Sequence, residues 1–219
     1  MIVIAVCIAL VAAGAVLVVR WGGIRPREAS RSGAFWWLDY VGVALAAGLT
    51  AGVLAAGAGG RLAMRLLAIT SPQAEGSFTE AAEVVGEITA GGTIGFIIFV
   101  GLPAGFASAV LYALVRPALP PGRAGGVYLG LLLLVFAGTT IDPLRPENAD
   151  FDLLSPSWLA VLVFTALAVF QGLVVTAVGA RLDRQVSLPR RPRIVAQVVI
   201  AVLAVVALPG FVAALGDIL

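Results

Sequence analysis

Six long apolar runs without a charged side chain take up most of this 219-residue chain. They cover residues 2–19, 40–60, 88–115, 124–141, 153–180 and 194–216. A helix needs roughly 20 apolar residues to cross the hydrocarbon core of a bilayer, which is about 30 Å thick. Uncharged runs of this length lack the alternation that a membrane-barrel strand requires. The sequence therefore predicts an all-α integral membrane protein, a six-helix transmembrane bundle that forms a single domain over residues 1–219.

The distribution of arginine predicts the orientation of these helices. With the N-terminus outside, the inner loops contain eleven of the fourteen basic residues, and the outer loops keep only Arg61, Arg65 and Arg145. Because short cytoplasmic loops carry the excess of Arg and Lys, we predict that the N- and C-termini both lie outside. The first run has no positive charge before it and is followed at once by Arg20, so we interpret it as a retained helix and not as a cleaved signal peptide.

The composition excludes several classes of protein. Only 12% of the residues are charged and 61% are hydrophobic, whereas a soluble domain carries about 25% charged residues. The chain has no His and no Lys, and its single cysteine is Cys7. A His-ligated haem or zinc site, a lysine Schiff base and an intrachain disulfide are therefore excluded. We expect no cofactor, no metal site and no nucleic-acid partner, and the sequence argues against an enzyme without excluding one.

The first long outer segment carries the densest charge pattern. Arg61 and Arg65 are four residues apart and share a face if the second helix continues beyond residue 60, up to a break at Ser71-Pro72. Residues 77–80 read as a capping box that begins a short amphipathic helix in the outer loop between helices two and three. Its acidic face would consist of three residues, Glu80, Glu83 and Glu87. The pattern favours either ion pairs that brace a surface helix or a site for a cation or a charged head group.

The second outer loop is also rich in charged and oxygen-bearing side chains, namely Asp142, Arg145, Asp150 and Asp152. Oxygen ligands of this density can bind Ca²⁺, which takes six to eight of them. Their spacing does not match an EF-hand loop, and the two prolines of this segment fit a rigid turn equally well.

Two positions inside the predicted spans are unusual for lipid-embedded helices. Pro103 cannot donate a backbone hydrogen bond and frees the carbonyl of Phe99, so we predict a kink in the third helix. Gln171 needs an interhelical hydrogen bond or a substrate contact. Glycines four residues apart predict close helix packing, inside the bundle or at a homodimer face; the pairs are Gly48/Gly52, Gly91/Gly95, Gly101/Gly105 and Gly126/Gly130. No ionisable residue lies deep in a predicted span.

Three segments together resemble a group of multi-pass membrane proteins from high-GC Gram-positive bacteria that has no assigned function. They are the stretch 60–67 (GRLAMRLL), the segment 79–89 (TEAAEVVGEIT) and the loop 141–146 (IDPLRP). The resemblance covers about residues 40–180. It implies a multi-pass location in the bacterial plasma membrane and nothing about activity, so no catalytic residue is carried over from it.

Three functional hypotheses follow from the sequence. The first is a non-enzymatic accessory or interaction subunit that uses its charged outer loops to bind a membrane-protein partner. The alternative is a small oligomeric transporter or channel with a kinked third helix, which the lack of deep ionisable residues disfavours. A lipid-modifying enzyme is the second alternative and would need a reactive outer cluster.

Overall fold

The computed structural model describes residues 1–24, 36–71, 76, 89–140, 156–186 and 193–218. This part of the chain is all-helical and forms six helices, α1 (Ile2–Trp21), α2 (Trp36–Thr70), α3 (Ala90–Ala118), α4 (Arg123–Thr140), α5 (Ser157–Val186) and α6 (Arg193–Ile218). Five of them are long and apolar enough to cross a membrane, and α4, with 18 residues, is apolar over Arg123–Phe136. The prediction of an all-α membrane protein is therefore confirmed, with five to six spanning helices.

The second helix is longer than its apolar run. It continues ten residues beyond the predicted limit of residue 60 and ends at Thr70, because Ser71 precedes Pro72 and adopts a non-helical φ of −126°. The predicted continuation and break are thereby confirmed. Arg61 and Arg65 consequently lie within α2 and not in a loop.

Helix α2 forms the centre of the bundle. In the apolar segment of α2, 56% of the residues are buried, whereas only 11% are buried in the corresponding segments of α1 and α6. It packs against α3 and α5, while α4 packs along α5 and α6 lies against α3 and α4. The core where these helices meet contains Val115, Leu129, Val174 and Val175, all fully buried. The outer faces of α1 and α6 are apolar and exposed, as expected for surfaces in contact with lipid.

Glycines bring α2 and α3 into backbone contact. A Cβ atom at Gly105 would lie 2.8 Å from the carbonyl oxygen of Gly48, and one at Gly52 would lie 2.7 Å from the Cα of Gly105. Gly101 lies against Gly52 in the same way, so two of the predicted glycine pairs pack against each other. Close packing of this kind replaces the hydrophobic driving force that helices lack in lipid.

Glycines also allow close backbone contact between α4 and α5, whereas the glycines at the start of α3 make no such contact with a described helix. A Cβ atom at Gly126 would lie 2.7 Å from the Cα of Leu173, and Gly130 is equally close to α5. Three of the four predicted pairs thus pack inside the bundle. Around Gly91 and Gly95, no atom of the described residues lies within 4 Å of an added Cβ.

Two π-helical turns face each other in the middle of the bundle. One, Gly52–Gly57, interrupts α2, and the other, Ile97–Gly101, interrupts α3 immediately before Pro103. A proline ring clashes with the carbonyl four residues earlier, here that of Phe99. A π turn thus lies just before Pro103, and α3 continues through it to Ala118, while the kink expected at Pro103 stays a prediction.

One end of the bundle collects most of the described arginines, and we call it the basic end. It comprises Arg20, Arg116, Arg123, Arg181, Arg184 and Arg193, which stand at helix ends. These helix ends meet in space: Arg181 lies 5.9 Å from the ring centroid of Trp21, and the Nη2 of Arg123 lies 3.4 Å from the carbonyl oxygen of Val19, to which it donates. Arg61 and Arg65 lie towards the opposite end of α2.

Candidate functional site

Polar side chains occur at three levels of this apolar bundle. Arg61 is buried towards the end opposite to the basic end. Gln171 and Ser108 are buried in the middle of α5 and α3. Arg116 and Asp183 form a pair at the basic end, where the side chain of Asp183 is almost fully buried. Each level involves at least two helices, and α2 or a helix packed against it takes part in all three.

The guanidinium of Arg61 is buried without a compensating charge among the described residues. Only 7% of the residue is exposed, and its central carbon lies 5.7 Å from the ring centroid of Phe96 in α3. The Nε and Nη2 atoms are buried and have no hydrogen-bond partner in the described ranges. Burial of a charge without a partner is strongly unfavourable, so this group is a candidate for ligand binding.

Two glycines next to Arg61 explain why it is so well covered. A Cβ atom at Gly60 would lie 2.8 Å from the Cε1 of Phe96, and one at Gly59 would lie 2.6 Å from the Cδ1 of Leu167 in α5. Larger residues at these positions would push both apolar side chains away from the helix. The local sequence Gly59-Gly60-Arg61 therefore lets α3 and α5 close over the arginine.

The position of Arg61 along α2 indicates its depth. It lies 21 residues after Tyr40, which at 1.5 Å per residue is about 31 Å and close to the ~30 Å hydrocarbon thickness of a bilayer. When Tyr40 lies at one boundary of the hydrocarbon core, Arg61 lies at the other. Arg65, one turn further, is only partly buried.

Gln171 connects three helices at the level of the π turns. Its Oε1 accepts a hydrogen bond from the backbone N–H of Ala56, at 3.1 Å, inside the π turn of α2. Its Nε2 donates to the Oγ of Ser108, at 3.0 Å, and that hydroxyl donates to the carbonyl of Ala104, at 2.7 Å. The prediction of an interhelical hydrogen bond at Gln171 is therefore confirmed, and its partners are a backbone amide of the π turn and a hydroxyl.

The pair at the basic end is enclosed by two tyrosines. The Nη2 of Arg116 contacts the Oδ2 of Asp183, and the guanidinium lies 5.3 Å from the ring centroid of Tyr40 and 5.6 Å from that of Tyr112. The hydroxyl of Tyr40 donates to the carbonyl of Ala113, at 2.5 Å. The arrangement connects the start of α2 with the ends of α3 and α5. Arg116 Nη1 and Asp183 Oδ1 are buried and have no hydrogen-bond partner among the described residues.

The sequence-predicted positions are only partly within the described ranges. Arg61, Arg65, Pro103 and Gln171 lie in described helices. Arg61 and Arg65 are one turn apart towards the end opposite to the basic end, whereas Pro103 and Gln171 lie near the π turns. The remaining predicted positions lie outside the described residues: Glu80, Glu83, Glu87, Asp142, Arg145, Asp150 and Asp152. The short outer helix and the predicted capping box also lie outside them.

The sequence analysis missed Asp183 and the burial of Arg61. Asp183 stands between Arg181 and Arg184, beyond the fifth apolar run, and the structure extends α5 to Val186, which brings it against Arg116. The sequence signal that could have identified Asp183 is that it is a single acidic residue inside an arginine-rich segment. Among the described residues, no three His, Cys, Asp or Glu side chains come together as a metal site would need.

Comparison with known proteins gives no family, relative or fold for this chain: no family model, no curated protein and no solved structure matches it. The resemblance to the bacterial membrane proteins therefore stays a prediction.

Proposed function

We propose that this chain is a small transporter or channel of the bacterial plasma membrane. The observation that supports the proposal is the buried Arg61, whose Nε and Nη2 have no partner among the described residues. Ionisable residues inside membrane proteins are costly and mark sites for substrates or ions. Because α2 extends to Thr70, Arg61 belongs to this helix and lies close to the boundary of the hydrocarbon core, not at its centre.

The irregular middle of the bundle supports the same proposal. π turns occur frequently at functional sites, and interrupted helices near the membrane midplane form substrate sites in transporters. Here two π turns lie against each other, and Gln171 binds the backbone of one of them. The route that we propose follows the contact of α2, α3 and α5, from Arg61 past Gln171 to the basic end. The basic end faces the cytoplasm in this proposal, since arginine is retained on that side.

A flux assay on the full chain tests the proposal. The purified protein is reconstituted in liposomes, and uptake of radiolabelled phosphate, acetate and chloride is measured against protein-free liposomes. We expect protein-dependent uptake of at least one anion, reduced by Gln171→Leu. The matched control is Thr176→Val, also in α5, because among the described residues the Thr176 hydroxyl bonds to carbonyls of its own helix, at 3.0 and 3.2 Å. Uptake equal to that of protein-free liposomes for all three anions rejects transport.

An accessory or interaction subunit is the second candidate. The exposed apolar faces of α1 and α6, together with the open surface around Gly91 and Gly95, favour it. Native mass spectrometry of the protein in its own lipid tests it. A second polypeptide at fixed stoichiometry supports this function, and a monomer or homo-oligomer alone contradicts it. A lipid-modifying enzyme would need its reactive groups in the outer segments, which lie outside the described residues.

A further inference from the structure

The two buried nitrogens of Arg61 that have no partner in the described part of the chain are its Nε and Nη2. They lie on the same edge of the guanidinium plane, with their N–H bonds roughly parallel. This edge is the one that binds two oxygens of a carboxylate or phosphate at once. We infer that Arg61 is the docking point for an oxyanion, bound through two of its oxygens. The inference rests on the proposed function and names the substrate class of the same route.

The described surroundings of Arg61 supply neither an acceptor nor a counter-charge for this edge. Phe96 interacts with the guanidinium through its ring, which supplies no hydrogen-bond acceptor for the N–H groups. Asp39 and Asp183 belong to the basic end, about the thickness of the hydrocarbon core (~30 Å) away. An arginine cannot relieve the cost of burial by losing its proton. An oxyanion that enters the site supplies both the missing charge and the missing acceptors.

The depth of Arg61 limits where the oxyanion comes from. At about 31 Å along α2 from Tyr40, the guanidinium lies at the level where the hydrocarbon core of a bilayer meets the head groups. The phosphate of a lipid head group and a soluble phosphate or carboxylate both reach this level. Both sources present anionic oxygens to the guanidinium, and the ligands of the experiment below distinguish a lipid head group from a soluble anion.

Thermal unfolding of the delipidated full chain in a neutral detergent tests the inference. The ligands are sodium phosphate, sodium acetate and short-chain phosphatidylglycerol, with sodium chloride at equal ionic strength and phosphatidylcholine as references. We expect at least one of the three ligands to raise the Tm of the unmodified chain relative to its reference. Stabilisation by phosphate or acetate identifies a soluble anion, and stabilisation by phosphatidylglycerol alone identifies a lipid head group.

Three variants localise the binding. Arg61→Met removes the cation and should abolish the ligand-dependent shift, while the ligand-free variant should unfold at the same temperature as the unmodified chain or a higher one. Arg61→Lys keeps the charge without the two-nitrogen edge and should weaken binding at least about tenfold. Arg65→Gln is the matched control, one turn along the same helix, and should leave the ligand-dependent shift unchanged.

Three results would overturn the inference. They are the absence of any shift with all three ligands, an equal shift in Arg61→Met, and a ligand-free Arg61→Met that unfolds well below the unmodified chain. The third result would mean that the arginine is neutralised within the chain. Ligand binding without uptake in liposomes would keep the site and reject transport, and uptake that persists in Arg61→Met would keep transport and reject the site.

Discussion

Arg61 and Arg116 are both largely buried arginines, and they differ in their partners. Arg116 contacts Asp183 and lies between two tyrosine rings, whereas the guanidinium of Arg61 lies against the Phe96 ring and has no acidic partner among the described residues. Breaking a buried ion pair leaves an uncompensated charge, while removing a lone buried charge does not. Substitutions at the two arginines should therefore change stability in opposite directions.

We predict that Asp183→Leu lowers the free energy of unfolding by about 3–5 kcal/mol, because Arg116 is then buried without a counter-charge. The double variant Arg116→Met with Asp183→Leu should recover most of this loss, since it buries no charge. Unfolding in mixed micelles titrated with dodecyl sulfate measures both. Asp39→Asn, an exposed acid at the same end of the bundle, is the control and should change nothing. A double variant as unstable as Asp183→Leu would contradict the pairing.

The contact between Gln171 and Ser108 allows a double-mutant cycle. Gln171→Leu leaves the Ala56 N–H without its acceptor and Ser108 without its donor. We expect a coupling energy between Gln171→Leu and Ser108→Ala of about 0.6–2 kcal/mol, as for other interhelical hydrogen bonds in lipid. The same unfolding titration measures it. A coupling energy of zero would mean that the two side chains do not interact in the folded protein.

The sequence predicted the polar residues better than it predicted their partners. A primary amide in an apolar helix needs a hydrogen bond, so Gln171 could be singled out from its neighbours alone. Its acceptor and donor lie 63 and 115 residues away along the chain, and the sequence contains no information on which helices are adjacent. The same limitation explains why Asp183 was missed, since its partner is 67 residues away.

Contact between α2 and α3 depends on glycines that have no room for a side chain. In Gly105→Ala the new methyl would lie 2.8 Å from the carbonyl oxygen of Gly48 and 3.1 Å from the Cα of Leu49, both backbone atoms that cannot rotate away. We therefore expect a loss of stability of about 2 kcal/mol or more, of the size that overpacking typically causes. Thermal unfolding in detergent is the measurement.

Gly91→Ala and Gly95→Ala are matched controls in the same helix, because an added Cβ meets no described atom within 4 Å at either position. Alanine favours a helix over glycine by up to about 1 kcal/mol, so these variants should be neutral or slightly stabilised in the monomer. Destabilisation at Gly91 or Gly95, together with a change in oligomeric state, would instead identify this face as a contact between copies of the chain.

Helix positions were predictable from the sequence, and helix limits were less so. An apolar run indicates where lipid surrounds a helix, but the helix itself ends where the backbone is interrupted. For α2 the interruption is Pro72, twelve residues beyond the last predicted apolar position Gly60, so Arg61 and Arg65 are part of the helix. For α5 the helix likewise passes Ala180 and reaches Val186.

Within the bundle as a whole, α2 is the central helix, and α1 and α6 are peripheral. The deepest burial belongs to α2, and all three polar levels involve it or its direct neighbours. The peripheral α1 and α6 add mainly apolar surface.

The orientation of the whole bundle can be tested with single cysteines. Cys7 is buried, and in a Cys7→Ala background one cysteine replaces either Thr70, exposed at the end of α2, or Gln185, exposed at the basic end. Because arginine is retained on the cytoplasmic side, we expect a membrane-impermeant maleimide to label Thr70→Cys in intact bacterial cells and Gln185→Cys only after the cells are opened. Labelling of Gln185→Cys alone in intact cells would reverse the orientation. The docking point at Arg61 would then face the cytoplasm, and the oxyanion would have to come from inside the cell.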